Sequence, residues 1–161
     1  MVLQPALTRL GPVNDPNCIF CQIVLGQRPA HVVLESDLAV AFLDARPLFP
    51  GHSLLVPRDH HETLGDLPAL LVSELFVDGQ RLVRAVEKAM GADGSFVAMN
   101  NRVSQSVPHV HVHVVPRRRK DGLRGFFWPR QKYESDAEMA AVADRIRDAQ
   151  TSAREDGIGS V

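Results

Sequence analysis

Residues 109–115 read His109-Val110-His111-Val112-His113-Val114-Val115, an alternation with a period of two. Successive side chains of a strand point to opposite faces. The stretch therefore predicts a β-strand with three imidazoles on one face and Val110, Val112 and Val114 on the other. Three valines in register argue that their face is buried, which leaves the histidine face as the working one, or at least the polar one. Imidazoles two residues apart along a strand lie about 7 Å from one another, an unusual density of groups that titrate near neutrality. The chain has 7 histidines, and three of them fall here; a polar face that merely happens to use histidine is the poorer explanation. Two chemistries suit the pattern. His-x-His on a strand, with a further ligand from elsewhere, can hold zinc. Alternatively, one imidazole is a nucleophile or general base and its neighbours bind the charged group it attacks. Gln105-Ser106-Val107-Pro108, just upstream, favours the second, because an amide and a hydroxyl suit phosphate oxygens or a leaving group and are poor zinc ligands. Both readings hold together if different histidines serve them.

The 161 residues predict one domain with a real core, and 45% apolar against 23% charged residues is ordinary for a soluble globular protein. A net charge of -1 argues against general nucleic-acid or membrane affinity. No stretch approaches the roughly 20 apolar residues of a membrane span. Met1-Val2-Leu3-Gln4-Pro5 lacks the basic and apolar regions of a secretory signal, so a cytoplasmic location is expected. The only two cysteines stand in Cys18-Ile19-Phe20-Cys21. In a reducing compartment that spacing reads as metal-binding or redox-active rather than as a structural disulfide.

Proline-rich residues 1–17 have no periodicity and read as an irregular arm. A short helix is expected from Cys18 to Leu25, stopped by Gly26 and Pro29. Strand-like runs follow at His31–Glu35 and Leu38–Leu43, joined at Ser36-Asp37, and at Ser53–Val56 before Pro57. The longest helix is predicted from about Pro68 to Met90, with Asp66 as its N-cap and Gly91 closing its end. Leu71, Leu75, Leu82, Val83, Val86 and Met90 share one face of it, which reads as core packing. A strand at Ser95–Asn100, the loop to Val107 and the histidine strand come next, then a basic segment and a last helix from Ser135 to about Ala149, with Glu138 at its capping-box position. Strands, then a helix, then strands make an α+β domain with a mostly antiparallel sheet.

Several of these stretches together resemble the histidine-triad (HIT) family of nucleotide hydrolases and transferases. They are Cys18-Ile19-Phe20-Cys21 with Ile23-Val24-Leu25-Gly26, Ala41-Phe42-Leu43-Asp44, Pro50-Gly51-His52-Ser53-Leu54-Leu55-Val56-Pro57-Arg58-Asp59-His60, Gln105-Ser106-Val107-Pro108 and the histidine strand. The resemblance implies a HIT-like core over residues 18–116, an extension over 117–161 packed on the same domain, and an antiparallel five-stranded sheet with one long helix and one or two shorter ones. It further implies a homodimer whose sheets join. His111 would be the nucleophile that attacks the α-phosphorus of a nucleotide and forms a nucleotidyl-histidine, its other nitrogen donating to a backbone carbonyl. His113 would bind the phosphate, Ser106 would sit at the leaving group, Gln105 and the loop amides would hold phosphoryl oxygens, Asp44 would bind ribose, and Asn100 would lie near phosphate and sugar. Members with Cys-x-x-Cys hold a structural zinc, which implies Cys18, Cys21, His60 and His109 as ligands, with His61 the competitor to His60. His31 and His52 are left as surface or turn residues. The implied substrates are dinucleoside polyphosphates or nucleoside phosphoramidates, adenine favoured; the basic run Arg117-Arg118-Arg119-Lys120 with Phe127-Trp128 reads either as a solvated face or as a clamp for distal phosphates. A nucleotide-binding module with little turnover is the alternative, and a zinc hydrolase with metal on His111 and His113 a third reading. Many members carry glycines before the Gln-Ser pair, where this chain has Val103-Ser104.

Overall fold

A computed structural model describes residues 14–123 and 133–155. The chain falls into two compact units, Met1–Asp121 and Gly122–Val161. In the first, α1 (Ile19–Val24) is followed by β1 (Val32–Glu35), β2 (Ala39–Leu43), β3 (Ser53–Pro57), α2 (Ala69–Met90), β4 (Gly94–Ala98) and β5 (Val112–Arg117). The second contains α3 (Asp136–Glu155). Most of the predicted arm, and Phe127 and Trp128 of the predicted clamp, lie outside the described residues.

The five strands form one sheet in the order β1-β2-β3-β5-β4, every neighbouring pair antiparallel. The α+β antiparallel architecture is as expected. The alternation in the strands separates two apolar layers. Ala39, Ala41, Leu55, Val110, Val112 and Val114 meet Leu71, Leu75, Leu82 and Val86 of α2 on one face. Val40, Phe42, Leu54 and Val56, of opposite parity, meet Cys18, Phe20 and Cys21 from α1 and its start on the other. Side chains at odd positions of the histidine stretch therefore lie on the α1 side, where the site is built.

Local chemistry explains several element ends. Ser36 Oγ accepts from the Leu38 and Ala39 amides, which turns β1 into β2. Gly91 closes α2 in the left-handed conformation at φ 55°. Asp66 is not the N-cap of α2, contrary to expectation. It ends a 3₁₀ turn, Leu64–Asp66, where its carboxylate accepts from the amide of Thr63 and from its hydroxyl at 2.9 and 2.6 Å. Pro68 takes the cap position without a side-chain bond, because Asp66 is already committed one turn upstream. In α3, Ser135 Oγ accepts from the Glu138 amide as predicted, whereas the Glu138 carboxylate accepts from Glu134 rather than from Ser135.

The histidine strand is shorter than its alternation predicts. Ladder pairing begins at Val112, opposite Leu55 of β3. Upstream, the Val110 amide bonds the His61 carbonyl at 2.7 Å and the His109 amide bonds Val107. The two-residue repeat persists there because the two layers still flank the chain. The histidine face is also not simply polar: His109 is 0% and His111 3% exposed.

Candidate functional site

Four potential ligands meet where α1, the end of β3 and the start of the histidine stretch converge. The ligand atoms of Cys18, Cys21, His60 and His109 all lie within 4.8 Å of one another. His109 Nδ1 is 3.5 Å from Cys18 Sγ and 3.6 Å from Cys21 Sγ, and His60 Nδ1 is 3.3 Å from Cys21 Sγ. His109 Nε2 stands 3.0 Å from the carbonyl of Pro57. A carbonyl only accepts, so Nε2 carries the proton and Nδ1 turns its lone pair to the two sulfurs. Burial pushes the Cys21 thiol up to about 11 and holds the His109 imidazole down at about 4. Two sulfurs and two imidazole nitrogens in this arrangement fit a tetrahedral ion and leave no open position. The cluster could bind a metal. His60 joins it; His61 is not one of the four.

Beyond the cluster, a cavity of about 840 Å³ opens against the same sheet face. Ile19, Phe20, Ile23, Phe42 and Leu54 give it apolar walls, and Asp44, Ser106, His111 and His113 bring polar groups to it. Phe20 stands between the two regions, its ring edge-to-face with His111 at 5.3 Å and with His109 at 6.0 Å. His111 Nδ1 lies 2.7 Å from the His109 carbonyl. Nδ1 must therefore donate, which leaves the Nε2 lone pair as the free nitrogen of the ring.

His113 is held differently. Its Nδ1 lies 3.0 Å from His52 Nε2. His52 Nδ1 accepts from the Leu48 amide at 3.2 Å, so the His52 proton sits on Nε2 and is donated to His113. His113 is then left with Nε2–H, a donor 4.9 Å in ring separation from His111. Burial lowers the basicity of both rings, His113 to about 4, and each is neutral at pH 7. Asp44 Oδ2 is 3.5 Å from His52 Nδ1, and its Oδ1 accepts from the Arg46 amide at 2.8 Å. Asp44, His52 and His113 are close enough to hold a cation, but the proton placement makes them a hydrogen-bonded row. Among the described residues, neither potential ligand group contains His111, so the zinc-hydrolase reading lacks its ligand.

The loop before the stretch behaves in part as expected. Ser106 lines the cavity. Gln105 does not: its Oε1 accepts from the Arg102 amide and its Nε2 donates to the Glu62 carbonyl, both at 2.7 Å. Asn100 is exposed, and its Nδ2 donates to the Ser104 carbonyl at 3.3 Å. Arg102 and Ser104 take left-handed conformations at φ 65° and 59°, backbone that favours glycine but is adopted here by two non-glycine residues. Sequence reasoning missed His52, which is not a surface residue but 3% exposed. The available signal was parity. His52, Leu54 and Val56 alternate onto the α1 face, and Leu54 is registered against His113, which makes His52 its diagonal neighbour.

Of the basic run, the Arg117 guanidinium binds the Asp121 carboxylate in a fork at 2.5 and 2.8 Å, and Arg118 donates to the Met90 carbonyl at 2.6 Å. Both tie β5 to its own unit. No described helix is long and apolar enough to cross a membrane.

Comparison with known proteins agrees with this architecture. Residues 26–120 match the HIT domain, and the chain belongs to the HIT family. It is 36% identical to the adenosine 5'-monophosphoramidase HNT1 of Saccharomyces cerevisiae over 76% of each chain. It is 35% identical to the adenylylsulfatase HINT3 of Arabidopsis thaliana over 68% of this chain, which spans 56% of that longer protein. Among solved structures, a Zn-bound histidine triad family protein from Mycobacterium smegmatis superimposes with a TM-score of 0.64 at 35% identity, covering 82% of this chain and 97% of the other. Relatives of this chain are hydrolases by name.

Proposed function

We propose that the protein is a nucleotide hydrolase or nucleotidyl transferase that cleaves at an α-phosphate through a covalent bond to His111. The observation that carries this is the 2.7 Å contact of His111 Nδ1 with the His109 carbonyl, which fixes the proton on one nitrogen and frees the other. The Nε2 lone pair forms a bond to phosphorus, the bond from phosphorus to the leaving oxygen or nitrogen breaks, and Ser106, at the cavity edge, serves the proton that the leaving atom takes up. The ring gains positive charge, which strengthens the Nδ1–H bond to the carbonyl. Water, or another acceptor, then attacks phosphorus while the P–N electron pair returns to Nε2. His113 offers Nε2–H to a phosphoryl oxygen, stabilising charge where it develops. Asp44, which lines the cavity, accepts from ribose hydroxyls, and the apolar walls suit a nucleoside base. Gln105 acts by holding the loop that presents Ser106. The relatives' names support small adenylated substrates, phosphoramidates or an adenylyl sulfate, ahead of dinucleoside polyphosphates, since Arg117 and Arg118 are occupied within their own unit.

The four-ligand cluster is assigned to a structural zinc. When bound, that ion supplies charge compensation for two thiolates and a fixed cross-link between α1, β3 and the histidine stretch. A homodimer is proposed at the β4 edge, where Val97 and Phe76 are 44% and 45% exposed and line one cavity and where β4 is the last strand in the sheet order. Light scattering on the eluted protein reads that directly.

The deciding experiment incubates the protein with adenosine phosphoramidate, adenylyl sulfate and diadenosine polyphosphates, identifies the products, and quenches without acid to trap a labelled residue. Release of AMP with transient label on His111 is the expected result. No product from any substrate, or product without a labelled protein, overturns the covalent mechanism.

A further inference from the structure

One wall of the cavity has a chemistry of its own. Ile23, Arg28, Pro29 and Ala30 line it and also line a neighbouring cavity of about 310 Å³. They therefore form the wall between the two, whereas His111, His113 and Ser106 belong to the main cavity alone. Arg28 is exposed, and among the described residues its guanidinium has no hydrogen-bond or ion-pair partner. Its own backbone amide is tied to the Gln22 carbonyl at 3.2 Å, which anchors the residue at its main chain. Arg46, the other arginine of the lining, follows Asp44 by two residues, and its backbone amide donates to the Asp44 carboxylate. What sets Arg28 apart from the histidines, Asp44 and Arg46 is the wall it stands on: Ile23, Pro29 and Ala30, the residues that line both cavities with it, are apolar.

Resting on the nucleotide reading above, we infer that Arg28 is a specificity-determining residue that reads the base and selects 6-oxopurines, guanine or hypoxanthine, over adenine. A guanidinium offers only donors. The O6 and N7 edge of guanine or hypoxanthine offers two acceptors and takes a bidentate contact, whereas the same edge of adenine offers one acceptor and one donor. An arginine on this wall therefore matches the oxo edge and opposes the N6 amino group. The adenine preference implied by family resemblance is reversed for this chain, by a residue that resemblance does not examine.

The test is calorimetric binding of AMP, GMP and IMP to the full chain and to Arg28→Met, with no turnover required. IMP separates the 6-oxo group from the 2-amino group of GMP. In the wild type, IMP and GMP bind about tenfold tighter than AMP. In Arg28→Met the three converge to within roughly twofold, and AMP affinity is kept because the apolar stem of methionine still covers the wall. Equal or reversed affinities in the wild type overturn the inference. So does a preference that survives Arg28→Met, or a uniform loss for all three, which would place Arg28 on the phosphate instead. If AMP binds and is formed from the adenylated panel while base preference is absent, this inference alone falls. If no mononucleotide binds, the nucleotide reading falls with it.

Discussion

His109 and His113 lie four residues apart on the same side of one chain segment, yet their surroundings are opposite. His109 is fully enclosed, with Nε2 on the Pro57 carbonyl and Nδ1 against two sulfurs. His113 is only partly covered, lines an open cavity and takes its proton placement from another imidazole. Both are pushed down to about 4 by burial, so basicity alone does not separate them. What separates them is whether the free nitrogen meets protein or open space. Enclosure suits a ligand in a closed structural site; the cavity suits a group that must meet a substrate and let its product go. One alternating stretch thus meets two different surroundings at its two ends, with His111 between them.

The largest effect expected at the open end is His111→Ala. Turnover should fall at least ~10³-fold, about 4 kcal/mol of transition-state stabilisation, while mononucleotide affinity and metal content stay near wild type. Steady-state kinetics with metal quantification check this. Residual activity within tenfold of wild type breaks the division of labour, since the middle histidine would then be dispensable. Next, Cys18→Ser combined with Cys21→Ser should take bound metal from one ion per chain to none and lower thermal stability by roughly 3 kcal/mol or more, about 10 °C. Metal retained in the double variant would show that the enclosed end is not a metal centre.

A pH series sharpens the contrast from the other side. In the unfolded chain His113 takes up a proton near 6.5, whereas in the fold it resists until about 4. Between those values the unfolded state binds more protons. Stability contributed by the neutral ring is therefore whole above 6.5 and is lost as pH falls toward 4, by about 2 kcal/mol after allowance for partial exposure. His113→Gln should flatten the decline in melting temperature between pH 7 and 4.5. Identical slopes would mean that the open end does not couple to acid. The smallest effect expected is Gly51→Ala, just before His52. The glycine sits at φ 91°, and an added Cβ would come within 2.7 Å of Met90 Cγ. Strain and crowding together should cost about 1–2 kcal/mol by denaturant melting, with nucleotide affinity changing only if His52 shifts with it.

Much of this was readable in the chain. The valine and histidine alternation, the long amphipathic helix and the Cys-x-x-Cys pair are local patterns, and each occupies the layer its periodicity implies. His52 was not readable as a site residue, because its meaning depends on a partner 61 positions away, and only the face assignment of β3 connects them. Asp66 looked like a helix cap because nothing in the sequence says that Thr63 will claim the same carboxylate first. Gln105 carried the motif of a phosphate ligand, yet its amide is taken up by two backbone partners, the Arg102 amide and the Glu62 carbonyl. Arg28 sits in no recognisable motif at all; only the cavity wall gives it a place.

His109 offers its ring to the cysteines and its carbonyl to His111. Side chain and main chain of a single residue thus answer to different neighbours, and a torsion that moves one moves the other. Where the four donors hold an ion, taking that ion away would be felt in the cavity through the main chain of His109 and not through any ligand that the cavity itself presents.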